Sequence, residues 1–144
     1  MLKSVLNNIS KNSEAYQTLL EEAEEFRAVK VEINKARCII ELDADGNLTS
    51  VNEKMIAALG YSEDELVAKN HSQLQVADHA NSPEYQSFWR ELKVGNTQSG
   101  TFNLLTRDGD DVPFQGYYAP IMTKSGELRK VIAYLTDISE SVGL

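Results

Sequence analysis

The feature that most constrains this chain is a change of hydrophobic period near residue 35. Before it, steps of three and four residues pick out Leu2, Val5, Ile9, Asn12, Tyr16, Leu19, Ala23, Phe26, Lys30 and Ile33, and eight of these ten are apolar. That is the a/d seam of an amphipathic helix, flanked by the acidic run Glu21, Glu22, Glu24 and Glu25. Residues 1–34 therefore read as a long helical, coiled-coil-like extension. Asn12 interrupts the seam, and Ser13 has the chemistry to cap a fresh helix there. The seam either packs on its own domain or pairs with a second copy of the chain to make a homodimer.

After Lys35 the spacing is that of strands. Ala36 to Asp43 and Asn47 to Val51 flank Asp45-Gly46, a hairpin signal. Asn52 follows as an N-cap for a helix through about Leu59, which Gly60 stops. Ser62 with Glu65 makes a capping box that opens a further short helix through Val67. No period holds from Ala68 to Asn81, a polar stretch that contains both histidines, His71 and His79, and reads as irregular or as holding a short turn of helix. Ser82-Pro83 then starts a helix in which Tyr85, Phe88, Trp89 and Leu92 share one face, with Gly95 at its end. Ser99 to Thr106, Asp111 to Met122 and Leu128 to Thr136, joined by the turns Arg107-Asp108-Gly109-Asp110 and Lys124-Ser125-Gly126-Glu127, complete a three-stranded meander. Five strands with the helices grouped between the second and third predict an α+β layer: one antiparallel sheet with short helices on one face.

Several function classes are excluded by composition. The chain of 144 residues is 42% hydrophobic and 25% charged, enough for one folded domain plus the extension. A formal charge of −8 opposes binding to nucleic acid or to anionic lipid. Its single cysteine, Cys38, makes neither an internal disulfide nor a Cys-rich metal site, which points to reducing cytoplasm, and no apolar run approaches the ~20 residues of a bilayer span. No nucleophile elbow, phosphate loop or paired-carboxylate cleft supports catalysis; an enzyme would need a buried carboxylate or histidine facing a cavity.

The order of Asp45-Gly46 and Asn52, Leu59-Gly60-Tyr61-Ser62 through Glu65-Leu66, Ser82-Pro83-Glu84-Tyr85 with Phe88-Trp89, Asp108-Gly109, Tyr118 with Pro120-Ile121, and Lys130-Val131 leading to Thr136-Asp137-Ile138 resembles a PAS domain. The resemblance is to the type found in bacterial methyl-accepting chemotaxis and aerotaxis receptors, and it covers about Ala36 to Ser139. It implies a five-stranded sheet with a pocket between sheet and helices, which relatives use for flavin such as FAD, for haem or for a small metabolite, or leave filled by side chains. It further implies a sensory input domain at 35–139 that relays a ligand or redox signal to a downstream signalling domain; the alternative is a ligand-free adaptor for dimerisation and relay. Asp137 to Glu140 is a capping box, so 140–144 read as the start of a cut-short linker helix, the alternative being an ordinary turn.

Candidate pocket residues follow in part from the resemblance. Trp89 would lie near the ring pocket of flavin-binding relatives, and His71 matches a histidine of the chemotaxis-receptor group able to ligate haem iron, although its usual companion histidine is Asn70 here. The alternatives are a core aromatic for Trp89 and a solvated loop side chain for His71. Pro113 stands where many cofactor-binding relatives carry Trp, which weakens that likeness. From the residues themselves, Gln115 and Tyr117 share one face of their strand and Tyr118 takes the other, with either set able to face the pocket. Asn52 and Asn103 are the remaining polar candidates, and Cys38 reads as a buried inert thiol.

Overall fold

The computed structural model describes residues 13–140, in two compact units. The first is a single helix, α1 (Glu14–Ala36). Ser13 caps it, its Oγ accepting from the Tyr16 backbone N–H at 3.1 Å. The seam positions Tyr16, Leu19, Ala23 and Ile33 are half-buried, whereas Phe26 is 70% exposed. Leu2, Val5, Ile9 and Asn12 lie outside the described residues, as do residues 141–144 of the expected linker helix. Among the described residues no helix is long and apolar enough to cross a membrane.

The second unit is the sheet with its helices. Its strands are β1 (Cys38–Asp43), β2 (Leu48–Val51), β3 (Gln98–Leu105), β4 (Asp111–Met122) and β5 (Leu128–Asp137), and they lie in the order β2-β1-β5-β4-β3 with every neighbouring pair antiparallel. Between β2 and β3 come α2 (Glu53–Leu59), α3 (Glu63–Val67), two 3₁₀ turns (His71–Leu74 and His79–Asn81) and α4 (Pro83–Lys93). Strand alternation sends Ile40, Leu42, Leu104, Phe114, Tyr118, Val131, Ala133 and Leu135 to the covered face, where they meet Met55, Leu59, Leu66, Leu74 and Leu92 in one core. Tyr117 and Tyr134 pack together on the opposite face, with ring centroids 5.4 Å apart.

The local signals act as the sequence predicts. Gly60 ends α2 in the left-handed conformation at φ 78°, Ser62 and Glu65 form the reciprocal capping box, and Ser82 Oγ accepts from Tyr85 N–H at the start of α4. Asp137 Oδ1 accepts from the backbone N–H and hydroxyl of Ser139, which turns the chain after β5. Pro113 stands third in β4, and its carbonyl accepts from Ile138 N–H just past the end of β5. N–H and C=O of a strand residue point the same way, so its missing donor faces the point where β5 has already ended. A proline is tolerated there for that reason.

Candidate functional site

The polar stretch with no period is drawn inward by hydrogen bonds to the β1–β2 turn. Asn70 caps the first 3₁₀ turn through Oδ1 and the Ser72 N–H, while its Nδ2 donates to the Asp45 carbonyl and to Asn47 Oδ1, each at 3.0 Å. The backbone follows: His71 N–H donates to the Gly46 carbonyl at 2.8 Å, and Leu48 N–H donates to the Lys69 carbonyl at 3.0 Å. Gly46, at φ 87°, also lets Trp89 approach, since a Cβ there would stand 3.1 Å from the indole. Clamped in this way, the residue after Asn70 has nowhere to point but the interior, and His71 is only 2% exposed.

Inside, both imidazole nitrogens are taken up by phenols. Nδ1 lies 2.7 Å from the Tyr85 hydroxyl and Nε2 lies 2.8 Å from the Tyr118 hydroxyl. Gln75 Nε2 donates to the His71 carbonyl at 3.0 Å and stands 3.3 Å from Nδ1. The rings of His71, Tyr85 and Phe88 are nearly parallel, with interplanar angles of 7 to 14°, whereas Tyr118 meets His71 and Phe88 edge-on. Burial, with a smaller push from His79, holds His71 down to about 3, and burial pushes Tyr85 up to about 12 and Tyr118 higher still. At neutral pH the trio is therefore uncharged.

Beside this network lies a cavity of about 760 Å³, a size suited to a small organic ligand. Phe88, Phe102 and Leu104 give it apolar walls, and His71, Gln75 and Tyr118 give it a polar end. Thr101 and Asn103, both exposed on the edge strand β3, are among the residues that line it. Among the described residues, those lining it include no lysine or arginine, and Glu84 is the one carboxylate.

Of the residues singled out from sequence, His71 and Asn103 line the cavity. Trp89 does not line it but meets the His71 ring edge-on at 6.2 Å. Asn52 is elsewhere: its Oδ1 accepts from Ile39 and Met55 N–H and its Nδ2 donates to the Arg37 carbonyl, so it ties α2 to β1. Gln115 and Tyr117 are exposed on the uncovered face, and the residue of β4 that reaches the cavity is Tyr118. The sequence carried a signal for that choice, because Phe114 shares the parity of Tyr118 and a large apolar side chain marks the covered face. Tyr85 and Phe88 had been visible only as an aromatic helix face. Gln75 carried no signal at all.

The same geometry tests the cofactors that relatives hold. Each ring nitrogen of His71 is engaged with a phenol, and an iron would have to displace one of them, so these residues do not fit a haem ligand in this arrangement. Cys38 is buried in β1 away from the cavity wall, with its thiol pushed up by burial, and does not fit a reactive thiol facing a bound flavin. His71 does meet one condition set for an enzyme, a buried histidine at a cavity. Its low basicity and doubly engaged ring suit it poorly to a general base, whose pKa should lie near the working pH.

Comparison with known proteins agrees with the architecture. The family profile described as PAS domain matches residues 36–140. The biofilm dispersion protein BdlA of Pseudomonas aeruginosa is 36% identical over 110 residues, which cover 76% of this chain and 26% of that protein. This chain thus spans about a quarter of that relative's length. Among solved structures, the PAS domain of an HTR-like protein from Haloarcula marismortui superposes with a TM-score of 0.62 at 24% identity, covering 88% of this chain and 100% of that one. A domain of a sensory box sensor histidine kinase/response regulator from Geobacter sulfurreducens gives 0.61 at 19% identity, covering 89% and 100%. The Rhodobacter sphaeroides LOV protein gives 0.66 at 14% identity, covering 83% and 71%.

Proposed function

This chain belongs to the PAS domain family, a family of sensory domains in signal-transduction proteins, and from that premise we propose that it is the non-catalytic input segment of a cytoplasmic bacterial receptor of chemotaxis type. A small molecule enters the cavity between α4 and β3, alters the packing of the sheet and its flanking segments, and the change passes to a downstream signalling domain. The observation that carries this reading is the cavity itself, lined in part by an edge strand and furnished with a polar end. Likeness to BdlA supports the signalling context, and its greater length gives room for an output module. Such a mechanism requires the ligand to favour one packing over the other by differential contact.

A second reading has its own observation. Every buried side-chain nitrogen and oxygen among the described residues has a hydrogen-bond partner, as a closed adaptor requires. One measurement separates the two: denaturing extraction of the protein purified from its native host, followed by mass spectrometry and an absorption spectrum. Release of one small molecule per chain is expected. A protein that releases nothing, and whose cavity-lining resonances ignore fractionated cell metabolites, is an adaptor.

Dimerisation through the N-terminal helix belongs to the same proposal. Phe26, exposed at a seam position of α1, is the side chain a second helix would cover. Sedimentation of the intact chain is expected to give the mass of a dimer, and removal of residues 1–34 should give the mass of a monomer of the shortened chain. An unchanged dimer after that deletion places the interface elsewhere.

A further inference from the structure

The hydrogen-bond partners around His71 account for every atom but not for every proton. A neutral imidazole has one N–H donor and one bare nitrogen acceptor. Tyr85 and Tyr118 each bring one hydroxyl proton, and both hydroxyls face ring nitrogens. One phenol must therefore donate to the bare nitrogen while the other accepts from the N–H, and the accepting phenol keeps a proton that His71 cannot take. Gln75 decides which phenol this is. Its Nε2 donates to the His71 carbonyl, which fixes that atom as the amide nitrogen, and the same nitrogen stands 3.3 Å from Nδ1. An amide nitrogen only donates, so Nδ1 is the bare acceptor and Nε2 carries the proton. Tyr85 then donates to Nδ1, Tyr118 accepts from Nε2–H, and the Tyr118 hydroxyl proton is left over.

Tyr118 is fully buried, so no solvent satisfies its hydroxyl in this arrangement, and it is among the residues that border the cavity. A buried O–H without an acceptor is costly, and the cavity is where an acceptor can be supplied. The surroundings constrain its chemistry. His71, Tyr85 and Phe88 present nearly parallel rings, and Phe88 and Phe102 line the space beside Tyr118, which favours a flat apolar body. Among the described lining residues there is no lysine or arginine, and His79 and the carboxylate of Glu84 share the wall, so the cavity offers no permanent positive charge to hold an anion.

We propose that the cavity takes a neutral, planar small molecule bearing a hydrogen-bond acceptor such as a ring nitrogen or a carbonyl, and that the Tyr118 hydroxyl is the donor that recognises it. This inference rests on the sensory reading given above and adds the class of ligand and the residue that selects it.

Two shape-matched probes test it. Quinoline has one acceptor nitrogen that naphthalene lacks, and both are titrated into the whole chain while backbone amide shifts are followed. The ratio of their dissociation constants is then compared between the parent and Tyr118→Phe. The preference for quinoline is expected to fall about three- to ten-fold in Tyr118→Phe, the worth of one neutral hydrogen bond, while naphthalene still binds. Tyr117→Phe, on the opposite face, should leave the ratio unchanged. If both probes bind and Tyr118→Phe leaves the ratio as it was, the donor assignment falls and the sensory cavity stands. If neither probe shifts any cavity resonance of the parent, the sensory reading falls and the proposal with it. A measurement on the unmutated protein guards against a misfolded variant: ¹⁵N shifts of His71 should show the proton on Nε2, and a proton on Nδ1 would overturn the assignment to Tyr118.

Discussion

Replacing Gly116 by alanine is expected to destabilise the sheet by about 3–5 kcal/mol, one of the largest effects available to a single methyl group in this chain. Gly116 lies in β4 opposite Leu135 of β5 and Gly100 of β3. A Cβ there would run into the Tyr134 carbonyl oxygen and stand 3.0 Å from the Leu135 Cα. Those atoms are backbone, so no rotamer change relieves the contact and the β4–β5 ladder must spread instead. Thermal unfolding should report a drop in Tm on the order of 10–20 °C. Gly100→Ala is the informative contrast. A Cβ at Gly100 meets nothing within 4 Å, and only its φ of 143° opposes a side chain, so a cost of about 1–2 kcal/mol is expected. Equal effects at the two positions would show that backbone conformation, not the approach of β5, requires glycine at 116. The effect reaches the site as well, because Gly116 lies between Phe114 and Tyr118 on the covered parity of β4, and spreading this strand from β5 would move the Tyr118 hydroxyl from His71.

How much of this was legible in the sequence depends on the distance over which each signal acts. Asp111–Met122 was readable to the residue, and Gly60, Ser62, Glu65 and Ser82 marked helix ends correctly, because caps and turns are decided by neighbours a few positions away. Residues 68–81 were not readable. Their path is set by Asn70 and His71 bonding to residues 45–47, more than 20 positions earlier, and no period records such a pairing. A polar-looking loop thus delivered the most buried histidine of the chain. Asn70, noted only as a departure from the family's histidine, proves to be the clamp that turns its neighbour inward. The face occupied by Gln115 and Tyr117 failed for a different reason: alternation fixes two sets of side chains, while the choice between them depends on where the helices lie. Asn52 was recognised as a cap, and its amide ties the start of α2 to Ile39 and to the Arg37 carbonyl and does not line the cavity.

His71 should make the fold sensitive to mild acid. In an unfolded chain its imidazole titrates near 6.5, whereas burial in the fold, helped by His79, lowers this to about 3. Between these values the unfolded state binds a proton that the folded state refuses, so stability is complete above pH 6.5 and declines as the pH falls. The slope for one group is about 1.4 kcal/mol per pH unit, which makes the expected loss about 2 kcal/mol between pH 6.5 and 5. The carboxyls held low in the fold, Asp43 and Glu65, add their own loss only near and below pH 4, so the upper window belongs to His71. Urea unfolding at pH 7, 6.5, 6, 5.5 and 5 measures it. His71→Gln supplies the control, since an amide keeps one donor and one acceptor in the same place but does not titrate. The variant should be less stable than the parent at pH 7 and nearly flat down to pH 5, so the gap between the two narrows as the pH falls. A parent as flat as the variant would mean that His71 is reached by solvent or protonated in place. Its two phenols could not then both bond a neutral ring, and the proton count that assigns the spare donor to Tyr118 would fail with it.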